Sequence, residues 1–571
     1  MIAAQLLAAL LSGATPDTLV ASDTLPTIRC EGQVVRAIEV DTRRPPFKGQ
    51  MAVWRRIARS VGLHHATTRE SIVRRFVTLG VGGPCTEFRR AESERLLRAL
   101  PYLARASVRA VADSGGGVRV LVQTVDEVPA TGGVRFHGRT PEALSVGSEN
   151  VLGVGLTLEA GIERGRGTLR DGWSLEFAHY QLFGRPYRLV AEQVREPAAD
   201  RWEARASHPF LTDLQRIAWI AGARERFDYL PLAREAGEWL SLGVRRNAWD
   251  VGGVLRVSSA GAAWLAGGAV SGEKSVPDRR PSWVMDTAIV PAPYEMLDTT
   301  GNDRYDRFRA LRIGPVVGVR RLAFTQARGL DALAATQDLA RGVQLAMMLQ
   351  RGVARRGADG WLAAADLFAG MGGPRSYAAL QLEGEGRRAR AENRWEGVIA
   401  GGRAAWYLQP APAWTTVLSL EGAGGRLMRY PLLLDLGHRE GGLRGLATDT
   451  LLGSSRAVAR LEQRWYAGPV RGRGDLGFAL FADAGRTWAG GNALAVTTPV
   501  VMTAGVSILA ATPVGAQRTA RLDIGTGVRN AGHGWQVRLS VQDYTRAFWR
   551  DPGDLSRVRA SRGVLDVLSW P

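Results

Sequence analysis

The stretch WQVRLSVQ, residues 535–542, alternates an apolar with a polar residue over its whole length. Successive side chains of a β-strand point to opposite faces, so this alternation predicts a strand with one apolar and one polar face. The same pattern occurs at residues 152–159, 458–466, 478–485 and 520–529. From about Gly132 to the end of the chain, such segments follow one another and helical periodicity nearly vanishes.

Two architectures are compatible with these segments. A soluble β-sandwich or propeller would bury the apolar faces, whereas an outer-membrane barrel would turn them to lipid and the polar faces to a wet lumen. We favour the barrel, because many segments are near the ten residues that cross a bilayer when tilted. A regular blade-length repeat, expected of a propeller, is missing. We therefore predict a transmembrane β-barrel of about 16 antiparallel strands over residues 132–571.

The preceding part of the chain, residues 27–130, has a mixed pattern. Residues 32–40 alternate like a strand, and residues 69–76 and 91–100 place apolar side chains on one helical face. Residues 106–112 and 117–125 then read as a hairpin around a glycine-rich turn. The succession of strand, helix, helix, strand and strand predicts a small α+β domain in front of the barrel.

Charge and targeting signals limit the possible partners and location. The chain has 74 basic and 55 acidic residues, a net charge of +19, and the arginines are scattered rather than massed in a patch. A nucleic-acid partner is therefore not predicted. The apolar run at residues 2–11, followed by small residues, predicts a signal peptide within residues 1–22. The sequence has no uninterrupted run of roughly 20 apolar residues, so a transmembrane helix is not predicted.

Signatures of chemistry are sparse. The chain has no H-E-x-x-H, G-x-S-x-G or Walker A motif, so we predict neither an enzyme nor a bound cofactor or metal. Cys30 and Cys85 are the only cysteines. In an oxidising compartment they could form a disulfide, and two free buried thiols are the equally open alternative.

A lone arginine, Arg444, lies in the glycine-rich stretch EGGLRGLATD, residues 440–449. Strand alternation places Glu462 and Asp483 on the inward faces of two following strands. A long loop folded into the barrel would bring the guanidinium to both carboxylates. The alternative is that all three residues line a wet lumen, where each ion pair contributes little.

Several stretches resemble known families. LHHATTRESIVRRF, AESERLLRALPYLARASV and VRVLVQTVDEVP resemble a periplasmic POTRA domain. GSENVLGVGLTLEAG, LRGL, ARLEQRWY and FALFADAGRTW resemble the barrel of the BamA/TamA family of outer-membrane assembly proteins, to whose superfamily the two-partner-secretion transporters also belong. The resemblance covers nearly the whole chain after the signal peptide.

The resemblance also implies roles for individual residues. Arg444 and Gly445 match the arginine and glycine of a V-R-G-F/Y tetrad at the tip of a loop folded into the lumen. The tetrad's partners on the inner barrel wall match Glu462, Asp483 and Gly485. This chain departs from the tetrad at Leu443, in place of valine, and at Leu446, in place of the aromatic residue. The tail also departs from the family, because it continues past Trp549 to Pro571 instead of ending on a strand-final aromatic.

The function implied by the resemblance is assembly, insertion or translocation of client proteins in the outer membrane, without a cofactor. Clients would pair with strands at a lateral seam between the first and last barrel strands, and we expect Gly153, Gly155 and Gly161 to weaken the first strand there. The POTRA domain would receive unfolded clients in the periplasm at a sheet edge formed by residues 118–122. Outer-membrane lipid, lipopolysaccharide and accessory assembly proteins are the other expected partners.

Two alternative functions stay open. One is a two-partner-secretion transporter for a dedicated exoprotein, although such transporters usually have two POTRA units and a plug helix, and neither is evident in this sequence. The other is a passive structural or pore-forming barrel.

Overall fold

The computed structural model describes residues 26–45, 66–137, 140–235, 238–257, 263–296, 307–353, 359–390, 394–428, 430–437, 441–446, 451–532, 534–543, 555, 559 and 562–568. The predicted signal peptide, residues 1–22, lies outside these ranges. Within them, the chain forms an N-terminal α+β domain followed by one large antiparallel sheet.

The N-terminal domain contains a five-stranded sheet covered by two helices. Its elements are β1 (Thr27–Ile28), β2 (Glu31–Arg43), α1 (Glu70–Arg74), β3 (Pro84–Thr86), α2 (Glu87–Arg98), β4 (Leu103–Ala112) and β5 (Val118–Asp126). Ile72 and Val73 of α1 and Leu97 of α2 enter the same buried cluster as the apolar residues of β4 and β5. A disulfide joins Cys30 to Cys85 within this core.

The strand order of this domain is β1-β4-β5-β2-β3. β5 pairs with β4 on one side and with β2, in parallel, on the other. The expectation that residues 118–122 form an exposed edge is therefore wrong. At the centre of the sheet, β5 turns Val118, Val120 and Val122 into the buried core, whereas Arg119 and Gln123 on its other face are partly exposed.

The large sheet begins at Ala130. Its first ten strands are β6 (Ala130–His137), β7 (Thr140–Val151), β8 (Leu156–Glu163), β9 (Gly172–Leu182), β10 (Tyr187–Arg195), β11 (Asp200–His208), β12 (Ile217–Glu235), β13 (Glu238–Arg256), β14 (Ala263–Val284) and β15 (Ile289–Pro291). The chain continues with β16 (Phe308–Arg328), β17 (Thr336–Gly352), β18 (Asp359–Gly372), β19 (Ser376–Ala389), β20 (Trp395–Ala411) and β21 (Trp414–Arg426). The last five strands of the sheet are β24 (Ser455–Val470), β25 (Gly474–Trp488), β26 (Val501–Ala511), β27 (Arg518–Arg529) and β28 (Trp535–Asp543). Between β21 and β24, β22 (Leu434–Asp435) and β23 (Leu452–Gly453) pair as a separate ribbon.

Neighbouring strands of this sheet are antiparallel and follow the order of the chain, except at the short β15. β14 pairs with β15 and also directly with β16. In the sheet order β28 lies next to β6, which makes the sheet a barrel. The described residues contribute 21 strands to it, more than the predicted sixteen. The prediction allotted about two dozen residues to each strand and loop, whereas β6–β11 are 8–12 residues long.

The two faces of the barrel wall differ in chemistry. On β25, Phe478 and Leu480 are 44% and 51% exposed, whereas Ala479 and Asp483 are buried. Exposed apolar side chains are spread round the barrel and include Trp173, Leu175, Trp249, Val343, Leu349, Leu382, Trp406, Leu420 and Val541. An apolar outer surface of this extent is that of a barrel surrounded by lipid. None of the helices in the described ranges has the length and apolar character of a membrane-spanning helix.

The inside of the barrel is filled by its own chain. The described parts of the connection between β21 and β24, residues 427–428, 430–437, 441–446 and 451–454, fold inward and bury Leu434, Leu436 and Leu443. The turn between β16 and β17, residues 329–335, also folds inward and meets Arg464, which donates to the carbonyl of Leu330 (2.7 Å). The described part of the tail, which includes the short helix α3 (Arg562–Leu565), is buried as well.

Candidate functional site

The site is built on the connection between β21 and β24, which leaves and rejoins the barrel wall at the end away from the α+β domain. That domain meets the turn between β26 and β27, where Gln517 donates to the carbonyl of Arg98 (3.0 Å). β24 ends beside this turn and therefore begins at the opposite end of the barrel. The loop folds back from there, and a hydrogen bond from the Leu443 amide to the Leu436 carbonyl (2.9 Å) fixes its returning part.

Arg444 extends from the loop to the barrel wall. Its Nε and one terminal nitrogen donate to the two carboxylate oxygens of Asp483 (2.9 and 2.6 Å), and its backbone amide donates to the same group (3.0 Å). Its other terminal nitrogen donates to Glu462. The guanidinium also lies 4.0 Å from the ring centroid of Phe481. Arg444, Asp483 and Glu462 are 7%, 1% and 5% exposed, so the charges are removed from solvent.

Glu462 is shared by three arginines. Besides Arg444, it accepts from Arg464 and from both terminal nitrogens of Arg521 (3.0 and 2.7 Å). Arg521 in turn donates to Asp523 on the same strand (2.6 Å). Three guanidinium groups thus face the three carboxylates of Glu462, Asp483 and Asp523, and the buried charges balance.

Arg521 and Asp523 were not predicted as members of the site. Their signal is present in the sequence, because both alternate with Ala520, Leu522 and Ile524 and so face inward. What the pattern does not contain is the register of β25, β26 and β27, which brings their inner faces beside Glu462.

Two further arginines on β24 hold the loop backbone. Arg456 donates to the carbonyl of Asp435, and Arg460 donates to the carbonyls of Gly441 and Gly442. Carbonyl groups of an irregular loop inside a barrel need such donors, because an unpaired buried acceptor is costly. The loop is therefore bound to the wall by its backbone as well as by Arg444.

Glycines allow the loop tip to approach the wall. Gly445 has φ +76° and a Cβ there would lie 2.8 Å from the backbone carbon of Gly525 on β27. A Cβ on Gly485 would lie 2.9 Å from Leu436 and 3.0 Å from Leu443. Both residues therefore sit where a larger side chain would push the loop away from the strands.

The leucines of the tetrad pack in an aliphatic cluster. Leu443 and Leu446 are buried together with Leu436, Val458 and Val501. Leu446, at the position where the tetrad of the sequence resemblance has an aromatic residue, thus lies in a pocket lined by aliphatic side chains. The sequence resemblance of the loop could not predict this pocket, because two of its residues, Val458 and Val501, lie on the separate strands β24 and β26.

Gly153 and Gly155 do not lie in a strand, so the prediction that they weaken the first barrel strand is wrong. They form the turn between β7 and β8 with φ values of +69° and +68°, which favour glycine. A Cβ on Gly153 would lie 2.2 Å from the carbonyl oxygen of Thr67, and one on Gly155 would lie 2.9 Å from the ring of Tyr102. Their role is thus a close fit to the α+β domain. Gly161 lies within β8, two strands away from the junction of β6 with β28.

A buried hydrogen-bond network joins the domain to this turn. Thr68 donates to Asp126 through its amide and hydroxyl groups (2.9 and 2.6 Å), and Asn150 donates to the Thr68 hydroxyl (2.7 Å). The side-chain oxygen Oδ1 of Asn150 accepts from the backbone amide of Gly155 (2.9 Å). Burial raises the pKa of Asp126 to about 6, although the bonds from Thr68 act in the opposite direction.

A second contact fixes the domain from the side of α2. Arg98 donates to both carboxylate oxygens of Asp338, at the start of β17 (2.8 and 2.7 Å). Arg95 donates to the carbonyl of Leu211 (2.6 Å) and lies over the ring of Phe324. The domain is thereby held against the mouth of the barrel opposite to the Arg444 loop.

Comparison with known proteins gives only remote similarities. The chain is similar to the crystal structure of BamA from Haemophilus ducreyi lacking POTRA domains 1–3 (TM-score 0.39, 11% identity, 89% of this chain and 85% of that chain). It is also similar to CdiB from Escherichia coli (TM-score 0.42, 10% identity, 94% of each chain) and CdiB from Acinetobacter baumannii (TM-score 0.36, 10% identity, 95% and 96%). No protein-family model matches the chain, and no curated relative matches its sequence.

Proposed function

We propose that this protein is an outer-membrane barrel that inserts or translocates client proteins, with its α+β domain in the periplasm and without catalysing a covalent step. The observation on which the proposal rests is the loop of Arg444, folded into the lumen and bound by Glu462 and Asp483. This arrangement is the one that the sequence resemblance to the BamA/TamA family implies. The position of the α+β domain at the opposite mouth supports the proposal, since clients would meet it first.

A two-partner-secretion transporter is the second candidate. A lumen segment that closes the barrel is expected of such a transporter, and the buried tail of this chain, with Leu565 and Leu568, supplies one from the C-terminus. In that case the client would be a single dedicated exoprotein rather than many outer-membrane proteins.

The test is depletion of the protein, followed by quantitative proteomics of the outer membrane and of the culture medium. We expect a broad loss of outer-membrane proteins, which expression of the natural chain restores and Arg444→Ala restores only in part. The matched control is Arg529→Ala, which changes an exposed arginine at the end of β27. Loss of one exoprotein from the medium would favour the secretion transporter. An unchanged proteome would contradict both candidates and indicate a passive barrel.

A further inference from the structure

The C-terminal segment lies inside the barrel although the last strand, β28, ends at Asp543. In the described part of the segment, Val564, Leu565, Val567 and Leu568 are all at most 4% exposed. A tail that returned to solvent would leave these side chains in water. Their burial shows that a specific part of the barrel receives them.

That part is an apolar patch on the inner wall of β12–β18. It packs with the tail as one buried cluster and consists of Ala218, Ile220, Val254, Leu265, Ala269, Val316, Ala346, Met348, Leu362 and Ala364. The inner wall of β24–β27 has arginines and carboxylates at the equivalent inward positions. An apolar patch on the wall of a water-filled lumen is unfavourable unless another apolar surface covers it.

The shape of the patch also fits the tail. A Cβ on Gly252 would lie 3.3 Å from Val564 Cγ1, and one on Gly318 would lie 3.4 Å from Leu568 Cδ1. Both glycines belong to wall strands, so the tail side chains approach the wall backbone closely at two separate points.

Charged groups at the margins of the patch match charges on the tail. Arg559 donates to Asp366 (2.7 Å) and Glu383 (2.5 Å) at the β18–β19 side. Asp566 accepts from Arg205 on β11 (3.2 Å) at the other side. The wall therefore offers an apolar centre, two carboxylates for Arg559 at one margin, and at the other margin Arg205, which is shared between Asp566 of the tail and Glu203 of the wall.

We propose that this patch is a binding site for an apolar chain segment with flanking charges, and that the C-terminal segment is its displaceable occupant, a plug of the lumen. The described tail is held by side-chain contacts and by the bond from Gln344 to the carbonyl of Leu568 (2.7 Å), and it joins no strand of the sheet. Its helix α3 has four residues, too few to be stable alone, so the segment loses its structure on release. The plug is independent of which client the barrel handles.

The test uses the full-length chain in detergent micelles and a fluorescent peptide of residues 555–571, followed by anisotropy. In the variant Gly252→Cys, Val564→Cys, oxidation should tie the tail to the wall, because the Val564 side chain lies against position 252. We expect the reduced variant to bind the peptide saturably and the oxidised variant to bind it at least tenfold less. The natural chain, measured with and without reductant, controls for the disulfide of Cys30.

Two controls define the site. The pair Gly253→Cys, Val564→Cys should not crosslink, because position 253 points to the outside of the barrel beside Trp219. A peptide with Leu565→Asp and Leu568→Asp should not bind.

The full-length variant Arg559→Glu, whose tail is repelled by Asp366 and Glu383, should bind the natural peptide at least tenfold more tightly than the natural chain does. Equal binding by the oxidised and reduced variants, or no binding by any variant, would overturn the proposal. Because no client is present, neither outcome bears on client handling.

Discussion

Replacing Arg444 by alanine removes three side-chain hydrogen bonds to two buried carboxylates. In the variant, Glu462 keeps its hydrogen bonds from Arg464 and Arg521. Of the three donors that residue 444 supplies to Asp483, only the backbone amide remains. The main cost is therefore the stranded charge of Asp483. Breaking a buried ion pair in this way costs about 3–5 kcal/mol, and we expect the free energy of unfolding of the barrel to fall by that amount.

The measurement is urea unfolding in phospholipid vesicles, monitored by the fluorescence of the 17 tryptophans. A double-mutant cycle with Asp483→Asn isolates the pair, and a coupling energy of about 2–3 kcal/mol is expected. Arg529→Ala, at an exposed position, should change the free energy of unfolding by less than about 0.5 kcal/mol.

A loss below about 1 kcal/mol for Arg444→Ala, with no measurable coupling to Asp483, would refute this reasoning. That result is the one expected of a solvated arginine in a wet lumen, where an ion pair contributes little. The experiment thus decides between the two interpretations that the sequence alone leaves open.

Two further predictions concern backbone fit and pH. Gly445→Ala should lower the stability of the barrel by about 2–4 kcal/mol, because φ is +76° and the new Cβ would meet the backbone of Gly525. Gly491→Ala, at φ +81° with no atom within 4 Å, should cost only about 1 kcal/mol in the same urea assay, and equal losses would contradict the argument from close contact. The pKa of Asp126 is raised from 3.8 to about 6, so the folded domain binds the proton more tightly than the unfolded chain does. Hydrogen exchange of β5 amides should therefore show the domain gaining about 2.4 kcal/mol as pH falls from 7 to 4, and Asp126→Asn should abolish this dependence.

The sequence was sufficient for the features that depend on alternation. Period-two patterns place Glu462 and Asp483 on inward faces because side-chain direction is a local property of a strand. The structure has Arg444 between them, as the pattern and the family resemblance together indicated. The same logic explains why Leu480 faces outward, toward lipid.

Features that depend on register and on distant contacts could not be predicted in this way. The sequence of the turn with Gly153 and Gly155 continues the alternation of β8, so the pattern does not reveal the positive φ values and the contact with Tyr102 that distinguish this turn from a strand. β5 reads as any apolar strand, and its central position follows from its pairing with β2 and β4. Arg521 joins the site because the register of β25, β26 and β27 brings it beside Glu462. A single sequence does not reveal this register.

The two segments that fill the lumen are held by forces of different character, and this sets an order of release. The Arg444 loop is bound by ion pairs and by arginine bonds to its carbonyls, which are directional and strong in a site without water. The tail is bound by apolar contact, which is non-directional, and by the ion pairs of Arg559 with Asp366 and Glu383 and of Asp566 with Arg205. The two meet where Leu555 packs against Leu432 and Leu434 of the loop. On the proposed release of the tail, the loop would keep its bonds to the wall, and Leu432 and Leu434 of the loop would lose their contact with Leu555. In the proposed function, a barrel opened in this order would present apolar surface to an incoming chain while the network of Arg444, Glu462 and Asp483 stays intact.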